Sequence, residues 1–170
     1  MRKILVIGCC GAGKTEFAKK LSLALGLPVI HLDHLFWLPN WKERSREEFD
    51  SFLKQELEKE SWIIEGDYFR TLPMRAEKAD LVIRLDYNRF ICVYRAIKRY
   101  FQGKLQAKGC DAKLGLQFLW YIFWRYPKVQ RTRQNEIKDF LLDKFPSLKW
   151  VDIKSPRRAE VYIEMQKTKT

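Results

Sequence analysis

The run Gly8-Cys9-Cys10-Gly11-Ala12-Gly13-Lys14-Thr15 sets glycine, lysine and a hydroxyl in the spacing G-x-x-x-x-G-K-[ST]. That chemistry suits a polyphosphate. Glycines reach backbone conformations that other residues resist, so successive N–H groups can converge on one anion. Lys14 is placed to reach the β- and γ-phosphates, and Thr15 to set its hydroxyl on Mg²⁺. All eight residues, Gly8, Cys9, Cys10, Gly11, Ala12, Gly13, Lys14 and Thr15, are therefore expected nucleotide contacts. The flanks agree. Lys3-Ile4-Leu5-Val6-Ile7 reads as a buried strand, and Phe17, Ala18, Leu21 and Leu25 fall on one side of a following helix.

Phosphoryl transfer also needs a metal site, a positioned acceptor and cations on the transferring group. Glu65 ends the strand-like run Trp62-Ile63-Ile64 and is a candidate Mg²⁺ ligand acting through water, with Asp86 as its rival. Asp33 closes the run Val29-Ile30-His31-Leu32 and is the candidate general base or acceptor-hydroxyl ligand. His31 and His34 flank it without matching a zinc spacing, so packed or substrate-touching histidines are expected. Phe36, Trp37 and Trp41 either stack on a ring of the acceptor or cover a helix. Arg70 and Arg75 are candidates for an acceptor phosphate or carboxylate. Arg95 and Arg99, four apart on one helix face, and Arg131 and Arg133 flank a basic, aromatic segment. They would suit a lid that closes over phosphates.

Five short apolar runs, at 3–7, 29–32, 62–64, 81–85 and 149–153, alternate with helical stretches. This pattern predicts a parallel sheet covered on both faces, with ligands at the carboxyl ends of the strands. Ser45-Arg46-Glu47-Glu48 forms a capping box for a helix to about residue 59, and Ser155-Pro156 opens a last helix. Residues 132–144 predict a separate helix after a helical insertion at about 102–130. Within it, Phe118 to Tyr126 holds six aromatics in nine residues, read as a lid helix in preference to a membrane-surface patch or stacking platforms for single-stranded nucleic acid.

The 170 residues are expected to form one domain, and no apolar run reaches the length of a membrane span. No signal peptide is expected, and four cysteines without metal spacing predict a reducing, cytoplasmic setting. Cys9 and Cys10 are expected to be small loop fillers, with a redox switch as the alternative. The net charge of +12 is uneven: residues 84–133 carry 12 basic side chains against only Asp86 and Asp111. That excess faces a triphosphate, a phosphorylated partner or nucleic acid.

Taken in order, several pieces resemble the bacterial adenylate-kinase-like proteins labelled DNA topology modulation protein. They are the loop Gly8 to Thr15, Pro28-Val29-Ile30-His31-Leu32-Asp33-His34-Leu35-Phe36-Trp37, Trp62-Ile63-Ile64-Glu65-Gly66-Asp67-Tyr68, Tyr94-Arg95-Ala96-Ile97-Lys98-Arg99 and Ser155-Pro156. The resemblance implies a three-layer α/β P-loop NTPase fold of the nucleoside-monophosphate-kinase type, with strand order 2-3-1-4-5. It also implies a lid carrying Arg95 and Arg99, and an adenine loop near Lys154, Ser155 and Pro156. The chain departs from the family pattern at Glu65, where Asp is expected, and at Asp67, where Asn is expected. Asp67 adds a negative charge beside the acceptor, which disfavours a phosphate unless Arg70 or Arg75 compensates.

Two functions follow. The first is a small kinase moving the γ-phosphoryl of Mg·ATP to a nucleotide or a small hydroxyl-bearing acceptor. Lys14, Arg95, Arg99 and Arg131 would neutralise charge, Thr15 and Glu65 would serve Mg²⁺, and Asp33 would orient the acceptor. The second is an ATP-dependent nucleic-acid-associated regulator. Steep weakening of binding with salt would distinguish the second. The lack of Asn-Lys-x-Asp and Asp-x-x-Gly motifs disfavours a GTPase.

Overall fold

A computed structural model describes residues 2–102 and 116–168. The first part of the expected insertion, 103–115, lies outside the described residues. The main sheet contains β1 (Lys3–Gly8), β2 (Val29–His31), β5 (Trp62–Glu65), β6 (Leu81–Leu85) and β7 (Lys149–Ile153). Every neighbouring pair is parallel, and the spatial order is β2-β5-β1-β6-β7. Counted along the chain, this is the order 2-3-1-4-5 that the resemblance implies. A small antiparallel pair, β3 (Trp37–Leu38) with β4 (Lys42–Glu43), lies outside the main sheet. It turns through a 3₁₀ segment, Pro39–Trp41, in which Asn40 and Trp41 both take positive φ, at 62° and 60°.

Side-chain alternation along the strands sorts the helices into two layers. Ile4, Val6, Ile63, Ile83 and Leu85 face α1 (Lys14–Leu25), α5 (Arg89–Phe101) and α8 (Pro156–Lys167). Leu5, Ile7, Trp62, Ile64 and Val82 face the other way, toward α2 (Leu32–Phe36), α3 (Arg46–Leu57), α4 (Leu72–Glu77) and α7 (Arg131–Lys144). The α3 cap forms as the sequence predicts, with Glu48 N–H donating to Ser45 Oγ at 3.2 Å. Ser155 likewise caps α8, accepting from Arg158 N–H at 3.3 Å.

Two boundaries differ from expectation. The second strand stops at His31 because Leu32, fully buried on the α3 side, starts a short helix. The second part of the insertion also runs directly into the next helix: α6 (Leu116–Trp120), a π-helical stretch at Tyr121–Gln130, and α7 follow without a break. Pro127 lies inside the π stretch. Proline disrupts α spacing, and here the turn widens, so that Arg131 N–H donates to Tyr126 O five residues back.

A buried ionic cluster fastens α7 to the sheet. Arg84 is 5% exposed and donates through Nε to Asp152 Oδ1 at 2.6 Å and through Nη1 to Asn135 Oδ1 at 2.7 Å. Lys138 Nζ donates to Asp152 Oδ2 at 2.8 Å, and Trp150 Nε1 to Oδ1 at 2.9 Å. Burial alone would raise the Asp152 pKa, but these hydrogen bonds outweigh it and hold the group down to about 2, against an ordinary 3.8. Such a carboxylate stabilises the fold above pH 3.8 and loses that contribution as pH falls through about 2. Asp152→Ala strands the Arg84 charge and is expected to cost about 3 kcal/mol at neutral pH. Urea unfolding should show the gap between variant and wild type closing as the pH approaches 2.

Candidate active site

Because all five main strands run parallel, their carboxyl ends share one edge, where the chemistry-bearing residues gather. The Gly8–Thr15 loop lies between β1 and α1. Gly13, the residue before α1, has φ 89°, and Gly11 has φ 82°. A Cβ on Gly11 would stand 2.2 Å from the backbone O of Cys92 in α5, so the loop presses directly on that helix. Lys14 Nζ folds back on this loop, donating to Gly8 O at 2.9 Å and Cys9 O at 3.4 Å. Burial would lower the lysine pKa, but Cys10, Glu65, Asp67 and Asp33 together raise it well above its ordinary value. The charges of Glu65, Asp67 and Asp33, from two segments of the chain, thus all favour the charged form of this lysine.

Thr15 Oγ1 donates to Glu65 Oε1 at 3.1 Å, and His31 Nδ1 lies 2.8 Å from the same oxygen. Burial opposes ionisation of Glu65, yet the His31 and Thr15 hydrogen bonds and the Lys14 charge hold its pKa low. Among the described residues no group of three or more His, Cys, Asp or Glu could hold a metal ion. A hydroxyl paired with a carboxylate is instead the hard oxygen set that suits Mg²⁺, which keeps water and phosphate ligands for its remaining positions.

Asp33 is not at the end of a strand but in the first turn of α2, where its Oδ1 accepts the Tyr68 hydroxyl at 2.7 Å. Phe36 packs its ring on Phe49 and Tyr68, with centroids 5.5 and 5.1 Å away. Trp37 meets Phe36 at 4.9 Å and Trp41 at 5.3 Å. Asp67 is pushed up to about 6 by burial, although Lys14, Arg75, Gln134 and the Gly8 amide all favour its charged form.

No family model matches the sequence, and no curated protein matches it. Solved structures do match. A protein of Chloroflexus aurantiacus j-10-fl, provisionally named a kinase, superposes with TM-score 0.58 at 17% identity, over 97% of this chain and 96% of its own. Shikimate kinase from Acinetobacter baumannii, in complex with shikimate, gives 0.56 at 15% identity over 99% and 93%. A sugar kinase from Janibacter sp. HTCC2649, unliganded, gives 0.54 at 16% over 99% and 93%. The chain has the P-loop kinase fold.

On this P-loop kinase scaffold the predicted arginines separate into groups. Arg95 reaches the P-loop, donating to Ala12 O at 3.0 Å with its guanidinium over Tyr87. Arg99 acts on Cys10 through its charge. Arg131 instead pairs with Asp86 at 2.7 Å, which also occupies the rival metal carboxylate. Arg70, predicted to hold an acceptor anion, is bound through both Nη atoms to Asp50, at 2.8 and 2.6 Å. Arg75, assigned the same role, is 0% exposed and donates to Gly66 O at 3.2 Å and Tyr68 O at 2.6 Å. It braces the loop that carries Asp67, and burial lowers its pKa to about 10. Lys154 is exposed, and the Ser155 hydroxyl is committed to the cap ahead of Pro156.

The aromatic run divides by face. Ile122 and Tyr126 enter the core while Trp120 and Trp124 stay exposed. Among the described residues no helix is long and apolar enough to cross a membrane. Burial raises the pKa of Cys10, and a hydrogen bond to Cys92 followed by burial raises that of Cys9. Thiols held protonated are poor nucleophiles, which supports their role as loop fillers. Sequence reasoning missed two site residues. Gln134, 1% exposed in α7, donates to Asp67 Oδ1 at 2.9 Å and to the Tyr126 hydroxyl at 2.7 Å. Tyr68 holds Asp33, and only its place beside Glu65-Gly66-Asp67 in the sequence gave a signal for it.

Proposed function

We propose that the protein is a small kinase-like phosphotransferase that moves the γ-phosphoryl group of Mg·ATP to a small hydroxyl-bearing acceptor. The observation that carries this reading is the glycine loop between β1 and α1, where Lys14 Nζ lies 2.9 Å from Gly8 O and Thr15 Oγ1 donates to Glu65 Oε1 at 3.1 Å. Backbone amides of Gly8 to Thr15 and Lys14 hold the phosphates, and Thr15 with Glu65 holds Mg²⁺. When bound, Mg²⁺ neutralises charge on the phosphates. Asp33, fixed by Tyr68, accepts a hydrogen bond from the acceptor hydroxyl and aligns its oxygen for attack. Phe36 and Trp37 wall the acceptor. Arg95 and Arg99 add positive charge over the loop, and Arg131 joins them on leaving Asp86. Lys154, Ser155 and Pro156 line the adenine side, and the segment at about 102–130 acts as the lid of a single 1–170 domain. The likeness to the solved kinases supports the fold in this account. The amides, lysine and hydroxyl supply its chemistry. The resemblance to adenylate-kinase-like proteins points the same way for the donor.

The test is acceptor-dependent release of ADP from Mg·ATP by the purified protein. Thr15→Ala is expected to raise the Mg²⁺ concentration needed for nucleotide binding by on the order of 10-fold. Binding isotherms at a series of Mg²⁺ concentrations check this. An unchanged Mg²⁺ requirement would remove Thr15 from the metal site.

A further inference from the structure

Within the kinase reading, the charges on the acceptor side narrow the substrate. We infer that the acceptor is an uncharged or cationic polyhydroxyl compound, such as a sugar, a polyol or an amino sugar, and not a nucleotide or a hydroxy acid. The carboxylates Asp33 and Asp67 stand on this side, and a phosphate or carboxylate beside them needs a guanidinium to offset the repulsion.

The arginines of this wall are occupied. Arg70 gives both ends of its fork to Asp50. Arg75 is 0% exposed, so an acceptor cannot touch it, and its two Nη atoms serve the carbonyls of Gly66 and Tyr68. Arg44 donates through Nε to Leu35 O at 2.7 Å and lays its guanidinium over the Phe52 ring at 4.8 Å. Among the described residues, the other cations named above belong to the donor side: Lys14, Arg95 and Arg99 act at the glycine loop, through Gly8 O, Ala12 O and Cys10, and Arg131 pairs with Asp86, which it leaves only for that loop.

What the wall does offer matches a polyol. Carboxylate oxygens accept hydrogen bonds from hydroxyls and favour ammonium groups. Tyr68 and Phe36, with Trp37 against Phe36, form an aromatic patch beside Asp33 that suits the C–H face of a sugar ring. Asp67 adds a second acidic side chain to this wall, and Gln134 donates to its Oδ1 at 2.9 Å.

The inference is tested by binding without turnover. Saturation-transfer NMR is recorded with Mg²⁺ and a non-hydrolysable ATP analogue filling the donor site. The panel contains neutral hexoses and pentitols, amino sugars, nucleoside monophosphates and hydroxycarboxylic acids. The expected result is binding of neutral or amino members at least about 100-fold tighter than any anionic one, abolished by Asp33→Ala. Asp67→Asn is expected to narrow that discrimination by roughly 10-fold. The wild-type ranking alone decides the matter if either variant fails to fold. A nucleotide or hydroxy acid binding as tightly as the best neutral or amino member overturns the inference, as does binding by no neutral or amino member. Failure of the kinase reading shows separately, as failure of the ATP analogue itself to bind with Mg²⁺.

Discussion

Lys14→Ala is expected to lower phosphoryl transfer by about 10³-fold. In the proposed reaction the ammonium sits where charge builds on the transferring group, and it is anchored to the glycine loop at 2.9 Å from Gly8 O. Its loss also leaves Glu65, Asp67 and Asp33 without the cation they share. Three carboxylates would then confront the phosphates directly, so ATP affinity should fall with turnover. The variant should fold, because Lys14 opens α1 and contributes no apolar side chain to the core. Steady-state ADP formation, ATP titration and circular dichroism on the same preparation separate these effects. A variant that keeps within about 10-fold of wild-type turnover would remove Lys14 from the chemistry.

Asp33→Ala gives the opposite pattern. Its carboxylate accepts from the Tyr68 hydroxyl at 2.7 Å and belongs to the proposed acceptor side, not to the glycine loop. ATP affinity should hold while acceptor-dependent transfer drops by roughly 10² to 10⁴. The comparison with Asp33→Asn is informative. The amide keeps an oxygen to accept from Tyr68 but cannot take a proton, so a loss equal to that of alanine assigns Asp33 as a base. Substantial rescue by asparagine would assign it to orientation alone. Transfer left intact by both substitutions would refute its placement at the acceptor.

The parts of this site that were legible in sequence are those fixed by short-range rules. The glycine loop has its lysine and hydroxyl at set spacing, and its flanking strand and helix announce themselves by apolar period. Glu65 was legible because it follows an unbroken apolar run, and the caps at Ser45 and Ser155 because a cap is a local pattern. What was not legible depends on partners far along the chain. Arg70 and Asp50 are 20 residues apart, and Gln134 and Asp67 are 67 apart. Nothing in either segment marks the other, so each arginine looked free for a ligand. Asp33 was misplaced because Val29, Ile30 and Leu32 read as one strand through His31, and only the burial of Leu32 on the α3 side shows where the strand ends. Nor did the sequence mark the π-helical stretch, in which the chain absorbs Pro127 by widening the helix. The positive φ of Trp41 has no sequence signal at all, since tryptophan rarely adopts it.

Calorimetric titration of the purified protein with ATP, in the presence and absence of Mg²⁺, tests the central claim most directly. The account predicts one site per chain that Mg²⁺ strengthens and Lys14→Ala weakens. A folded protein that binds no nucleoside triphosphate, or binds one equally well without Lys14, would contradict it.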